Sequence, residues 1–494
     1  MKRNLIYLVI TISLITLGCS EDFLNPVRNS NVLTDEELAG ASEQNPELVQ
    51  GTLDGIAGFL IQPAGTNPGR HYDLGQKGVD IWLDIVCGDM SLSASSYGWY
   101  NNTANLVSTI DFTREENQII WDYYYKVINL SNIVITSSGG ESAEPETPEA
   151  RHVLGQAKAA RAYAYFYLAQ IFQREYNPSQ EILPYYTSEV TETAKVPASQ
   201  IYELIIGDLT AAVDLLSDFT RSQKSQMDQT VAQGFLAYAY AAMGNYTDAK
   251  IHADAVINAG YPLTTEGELA YPGAGSGFND VNTASWIWGF DLTEDLGHQL
   301  IDWWGQIDLF TYSYAWAGDR KSIDNALYNA IPANDVRKNQ FDPGTFLMPI
   351  NKFFDPARQI GGQYIITTDL LFMRVEEFYL LSAEAAANTG DETGAKARLV
   401  ELLTSRLGGA ANATAYVTPL SGQALKDAIY LQTRIELWGE GKSYLAMKRN
   451  QSTVTRGTNH LFRSGESFEA DSDEMSFQIP ETEIINNPSI SDQN

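Results

Sequence analysis

Aromatic side chains crowd into the least regular parts of this chain. Flat rings on loops suit one chemistry in particular: they stack on the apolar C–H faces of sugar rings while neighbouring amides and carboxylates take the hydroxyls. Of nine tryptophans, five (Trp286, Trp288, Trp303, Trp304 and Trp316) fall within one irregular stretch, and Trp99 lies in a Gly/Asn/Ser-rich loop beside Tyr97 and Tyr100. Trp286 and Trp288 alternate along SWIWGFDL as one face of a strand, which predicts that they are core. Trp303 and Trp304 point in different directions whatever the backbone does, so one of them is expected to be buried; Trp304 is kept with the binding set. Tyr314, Trp316 and Trp99 sit among turn residues and are the leading ring platform, with Asn101, Asp319 and Arg320 as hydrogen-bonding partners. Trp82, Trp121 and Trp438 fall on helical patterns and read as core.

Other chemistries find less support. The five histidines are scattered and form no HExxH or similar ligand spacing, so no metal is expected. GAGSGF at Gly273 lacks the strand and helix that a phosphate loop needs. Adjacent acids such as Glu376 and Glu377 could suggest glycoside hydrolysis, but among 62 acidic residues such pairs arise by chance, and no catalytic residue or cofactor is assigned. EADSDE near Asp471 lacks EF-hand spacing. Lys+Arg 32 against Asp+Glu 62 gives a net charge of −30, which makes nucleic acid and anionic lipid headgroups poor general partners.

A helical framework has to position these loops. Arg151–Phe172 carries Leu154, Ala157, Arg161, Ala164, Leu168 and Phe172 at helical spacing, beside a second apolar row, so several helices must enclose it. Its alanines allow close helix approach, and Arg161 needs carboxylate or carbonyl partners from elsewhere. Helices are also expected at Glu47–Ile61, Val79–Met90 and Asn117–Ile135, and from Gly422 to Arg449. AYAAMGNYTDAK and AEAAANTGDETGAK share a Gly-Asn or Gly-Asp turn with an alanine five residues past the glycine, at Ala249 and Ala395, as in a tetratricopeptide hairpin. The fold class is therefore mainly α, with an irregular, loop-rich binding half.

The start of the chain, basic then apolar from Leu5 to Leu17, followed by Gly18-Cys19, is a secretory signal peptide over 1–18. Cys19 resembles a bacterial lipoprotein acylation site, with a tether over 19–45. Cys87 is then left without a disulfide partner and is expected to be a small buried residue. The rest divides into 46–260 and 368–494, both rich in helix pairs, around an irregular insertion at 261–367.

CSEDFLN, KAARAYAYFYLAQIF, the NDVRK block with Asp335 and Arg337, LLFMRVEEFYLLSAEAAA, RIELWGEGKSYLAMKRN and IPETEIINNP together resemble the SusD/RagB family of surface glycan-binding lipoproteins. Ser443, Ala446 and Asn450 depart from its usual residues at positions read as helix packing. The resemblance implies about four tetratricopeptide-like hairpins supporting a glycan-binding half. It also implies an outer-membrane, cell-surface location and a SusC-like TonB-dependent transporter as partner. The charge and the ring-rich loops favour a neutral polysaccharide, with a glucan as the leading guess. A same-fold binder of peptide or another nutrient, and a secreted glycosidase, are the alternatives.

Overall fold

The structure, a computed structural model, describes residues 47–494. The expected signal peptide over 1–18, Cys19 and the expected tether over 19–45 lie outside the described residues. Helices α1 (Glu47–Ile61) and α2 (Gln76–Val86) lead to strand β1 (Met90–Ala94), and α3 (Glu115–Ser137) packs along α4 (Pro148–Phe172). The expected helix over Val79–Met90 thus stops at Val86, and Met90 begins a strand instead. α4 starts where Thr147 accepts a hydrogen bond from the Ala150 N–H and Pro148 occupies the first turn, whose N–H groups have no intrahelical partner. Every residue from Val153 to Phe172 is buried, as two adjacent apolar rows demand.

Arg161, in the middle of this helix, is fully buried and saturated. Its guanidinium donates to Asp208 at 2.7 Å, to Glu141 at 2.6 and 2.7 Å, and to the Asn132 carbonyl oxygen at 2.9 Å. Burial of Glu141 opposes its ionisation, but the Arg161 bonds outweigh this and hold its carboxyl well below the usual range.

A β2–β3 hairpin (Glu181–Tyr186, Thr191–Pro197) precedes α5 (Ala198–Leu215), which lies along α4. The helix pair α6 (Gln229–Ala242) and α7 (Tyr246–Asn258) follows. The irregular stretch then holds β4 (Trp286–Phe290), short helices α8 (Trp303–Ile307) and α9 (Tyr314–Ala317), and β5 (Arg320–Ile323). Strand β6 (Leu370–Arg374) leads into α10 (Glu376–Asn388) and α11 (Glu392–Thr404), then α12 (Ala410–Val417), α13 (Gly422–Glu436), α14 (Lys442–Asn450) and the C-terminal α15 (Glu481–Asn486). The single helix expected over Gly422–Arg449 is two, broken at residues 437–441. The chain is mainly α, and its strands form two-stranded ladders.

The two repeated turns have the geometry their sequences require. Gly244 and Gly390 take φ of 75° and 85°, a region costly for residues with a Cβ. Asn245 and Asp391 then accept from the N–H of Asp248 and Gly394 to start α7 and α11. Ala249 and Ala395 are fully buried where the helices of each pair meet.

Three of the sequence blocks that carry the resemblance converge on one buried ion cluster. Glu436 accepts from Arg337 at 2.9 Å, Arg374 at 2.8 Å and Arg406 at 2.6 Å, and Arg374 also reaches Glu440 at 2.8 Å and Glu376 at 3.2 Å. Burial resists ionisation of Glu440, yet Arg374 and Lys352 hold its carboxyl down at about 2. Ser443 and Ala446 are fully buried, consistent with helix packing. Cys87, Trp82, Trp121, Trp286, Trp288 and Trp438 are core, as expected. No helix among the described residues is long and apolar enough to cross a membrane.

A candidate ligand-binding face

Strands β1 and β5 pair antiparallel, Met90 opposite Ile323 and Ala94 opposite Arg320, so the segment leaving β1 and the segment entering β5 emerge at the same end. Residues 95–100 thereby come to lie beside residues 312–319. Asp319, itself buried, fastens the two segments: one carboxylate oxygen accepts from the backbone N–H of Ser96 and from that of Tyr97, the latter at 2.8 Å.

Two clusters of rings stand on this frame. In the first, Trp99 stacks on His71 with centroids 4.8 Å apart, and Tyr97 meets Tyr314 edge-on at 5.2 Å. The Tyr314 hydroxyl hydrogen-bonds His71 Nδ1. Burial lowers the His71 pKa and raises that of Tyr314, so both are uncharged at neutral pH. Tyr97 is 61 % exposed. In the second cluster Tyr312 lies 4.8 Å from Trp316 and stacks on Tyr364 at 4.6 Å. Tyr312, Trp316 and Tyr364 are 39, 40 and 62 % exposed. Gly361 lies under Trp316: a Cβ there would come within 2.7 Å of the indole, so only a bare backbone lets the ring settle.

The one-turn helix α9 divides the clusters. Residues two apart in a helix diverge by roughly 200° around the axis, so Tyr314 is sent to one cluster and Trp316 to the other. The cations nearby are largely engaged. Arg70 pairs with Glu115 at 2.7 Å, and Arg358 lies 3.8 Å over the Tyr271 ring while donating to the Ile350 carbonyl. Lys321 is buried with its pKa pushed down to about 7 by desolvation, and half-buried Arg320 lies 4.5 Å over the Phe346 ring. The face is aromatic and hydrogen-bonding, with little free positive charge.

Several expected site residues take other places. Tyr100 and Trp304 are 1 and 0 % exposed and offer a ligand no surface. One of the pair was expected to be buried, and Trp303 is buried as well as Trp304. The segment can go inside because its backbone is tied locally: Asp302 accepts from the Trp304 N–H and Ser313 donates to the Leu300 carbonyl. Asp319 positions loops and does not face outward. Tyr97, Trp99, Asn101, Tyr314, Trp316 and Arg320 do belong to the face, with Trp99, Asn101 and Arg320 half-buried and Tyr314 showing 6 %. Sequence reasoning passed over His71, Tyr312 and Tyr364. Tyr312 was legible in the run TYSYAW, whereas His71 and Tyr364 come from loops that only the folded chain brings here. Glu376 and Glu377 are buried; Glu376 lies 3.1 Å from Arg406, and Glu377 accepts from the Tyr238 hydroxyl at 2.7 Å, so this pair does not face a ligand. No group of potential metal ligands occurs among the described residues.

The chain is similar to known proteins over most of its length. Residues 71–241 match a family described as starch-binding and associating with the outer membrane, and residues 293–494 match the SusD family. SusD-like protein P2 from Formosa agariphila is 29 % identical over 138 residues, a match spanning 28 % of this chain and 26 % of that relative. Among solved structures, a SusD-like carbohydrate binding protein from Bacteroides vulgatus superposes with a TM-score of 0.76 at 26 % identity, covering 90 % of this chain and 96 % of the other. Surface glycan-binding protein A from Bacteroides fluxus shares the fold alone: its TM-score is 0.67 at 13 % identity, over 91 % of this chain and 98 % of its own.

Proposed function

This chain belongs to the SusD/RagB family, and on that premise we propose that it is a non-catalytic, lipid-anchored cell-surface protein that captures a neutral polysaccharide and passes it to a SusC-like TonB-dependent transporter. The observation that carries the glycan reading is the pair of exposed ring clusters on either side of α9. Stacking rings with hydrogen-bonding neighbours suits sugar faces and hydroxyls, and two clusters suit successive units of a polymer. The net charge of −30 opposes an acidic polysaccharide at long range, and the cations of this face are mostly committed to partners within the chain. Anchorage at the outer membrane and the transporter partner rest on Cys19 and on the family resemblance. Calorimetry of the purified mature protein against neutral and acidic polysaccharides tests the reading. Binding to neutral members is expected. Binding confined to acidic members, or release of reducing sugar on incubation, overturns it.

A further inference from the structure

Well apart in the chain from the two ring clusters, helix α3 presents Asp122, Tyr125, Asn129, Asn132 and Thr136 at alternating three- and four-residue spacing, which puts them on one face along about 21 Å of helix. A face of this spacing ordinarily packs apolar side chains into a core, yet here it lines a groove of about 530 Å³ whose opposite wall is the β2–β3 hairpin with Tyr186, Ser188 and Thr191. A second hollow of about 370 Å³ shares Asp122 and Tyr125 and continues the groove to Gly65 and Thr66. Both volumes lie in the range of small-molecule sites.

The lining has the chemistry of a sugar site. Half-buried Tyr125 and Tyr186 offer rings with centroids 5.6 Å apart, and buried Trp121 backs Tyr125 from 4.8 Å. Asn132 gives its carbonyl oxygen to Arg161, which leaves its amide N–H groups for the groove. The exposed side chains of Asn129 and Thr136 have no hydrogen-bond partner among the described residues. Asp122 and Glu483 supply acceptors, and no Lys or Arg lines the larger hollow. The walls are already set. Ser188 donates through N–H and hydroxyl to Glu141 at 2.9 and 2.6 Å, Glu141 is gripped by buried Arg161, and Tyr125 donates to the Pro184 carbonyl at 3.1 Å. A preorganised groove loses less entropy on binding. Its far end also touches the ring face through one loop: Asp73 clamps Thr66 and Asn67, and two residues before it His71 stacks on Trp99.

We propose that this groove is a second carbohydrate site that takes a neutral oligosaccharide segment, so that the protein holds a polymer at two places. The proposal rests on the glycan reading above. In the larger hollow Asp122 and Glu483 stand without a lining cation and disfavour uronic or sulfated sugars, while ring faces and free amides meet neutral ones; Lys126 lines only the smaller hollow.

The test uses the mature protein with neutral gluco-, xylo-, manno- and galacto-oligosaccharides, read by calorimetric stoichiometry and by sugar density in soaked crystals. The variant Asn129→Arg/Thr136→Arg fills the groove from exposed helix positions that do not touch the core, and Trp99→Ala/Trp316→Ala disables the ring face. Wild type should show a second, weaker binding event with density against Tyr186. The groove variant should lose that event and keep the first, and the ring-face variant should do the reverse. Sugar bound at the ring face alone, with the groove variant indistinguishable from wild type, overturns the second site and leaves the glycan reading standing. Absence of binding to every neutral oligosaccharide refutes both.

Discussion

Replacing Trp316 with alanine should weaken glycan binding by between about tenfold and sixtyfold while leaving the chain folded. The indole is 40 % exposed, and its inner part rests on Tyr312 and the bare backbone at Gly361. An aromatic side chain of this size covers up to about 250 Å², so roughly 100 Å² is open to a ligand. At about 25 cal/mol per Å² a sugar covering all of it would gain about 2.5 kcal/mol, or roughly sixtyfold in affinity. A sugar covering only half of that area gains about 1.2 kcal/mol, close to tenfold. Titration calorimetry with the best neutral ligand of the wild type measures the difference, and circular dichroism with a thermal melt establishes that the variant is folded. Trp316→Phe keeps a ring and should fall in between. Wild-type affinity in folded Trp316→Ala would show that this cluster is not where the glycan stacks.

Trp304→Ala should behave oppositely: removing a fully buried ring beside Trp303 and Phe353 should cost about 3–5 kcal/mol of stability in chemical denaturation, and an unchanged denaturation midpoint would contradict its burial. Ala249→Leu and Ala395→Leu overpack the helix contacts beside the two turns and should each cost about 1–3 kcal/mol, seen as lower melting temperatures. Glu440 titrates at about 2 in the folded chain and near its ordinary value when unfolded, so its contribution is present above about pH 4.5 and lost as pH falls toward 2. Glu440→Gln should therefore lower stability at neutral pH and flatten the acid limb of a stability-versus-pH curve; an acid limb identical to wild type would refute the assignment. Cys19→Ala should move the mature protein from the membrane to the soluble fraction, and retention at high salt without the transporter would remove the anchor assignment.

Much of the helical framework was legible because it is local. Periodicity at 3.6 residues marks α4, and the Gly-Asn and Gly-Asp turns mark α6–α7 and α10–α11, since a left-handed residue followed by a capping side chain is written in adjacent positions. Arg161 announced its need for carboxylates, though not that Asp208 and Glu141 would supply them. The irregular half was harder. Whether a tryptophan there faces inward depends on which backbone groups are tied off and what lies above it, and Trp304 and Trp316, both in turn-rich sequence, went opposite ways. The ring face itself is a product of tertiary structure. Tyr97 meets Tyr314 because β1 and β5 pair and Asp319 reaches the Ser96 and Tyr97 amides, a contact spanning 222 positions between Tyr97 and Asp319. Composition can place rings in loops, because it is a property of residues one at a time. Which rings share a surface is set by antiparallel pairing and by buried hydrogen bonds between distant segments, and no short-range pattern encodes those partners.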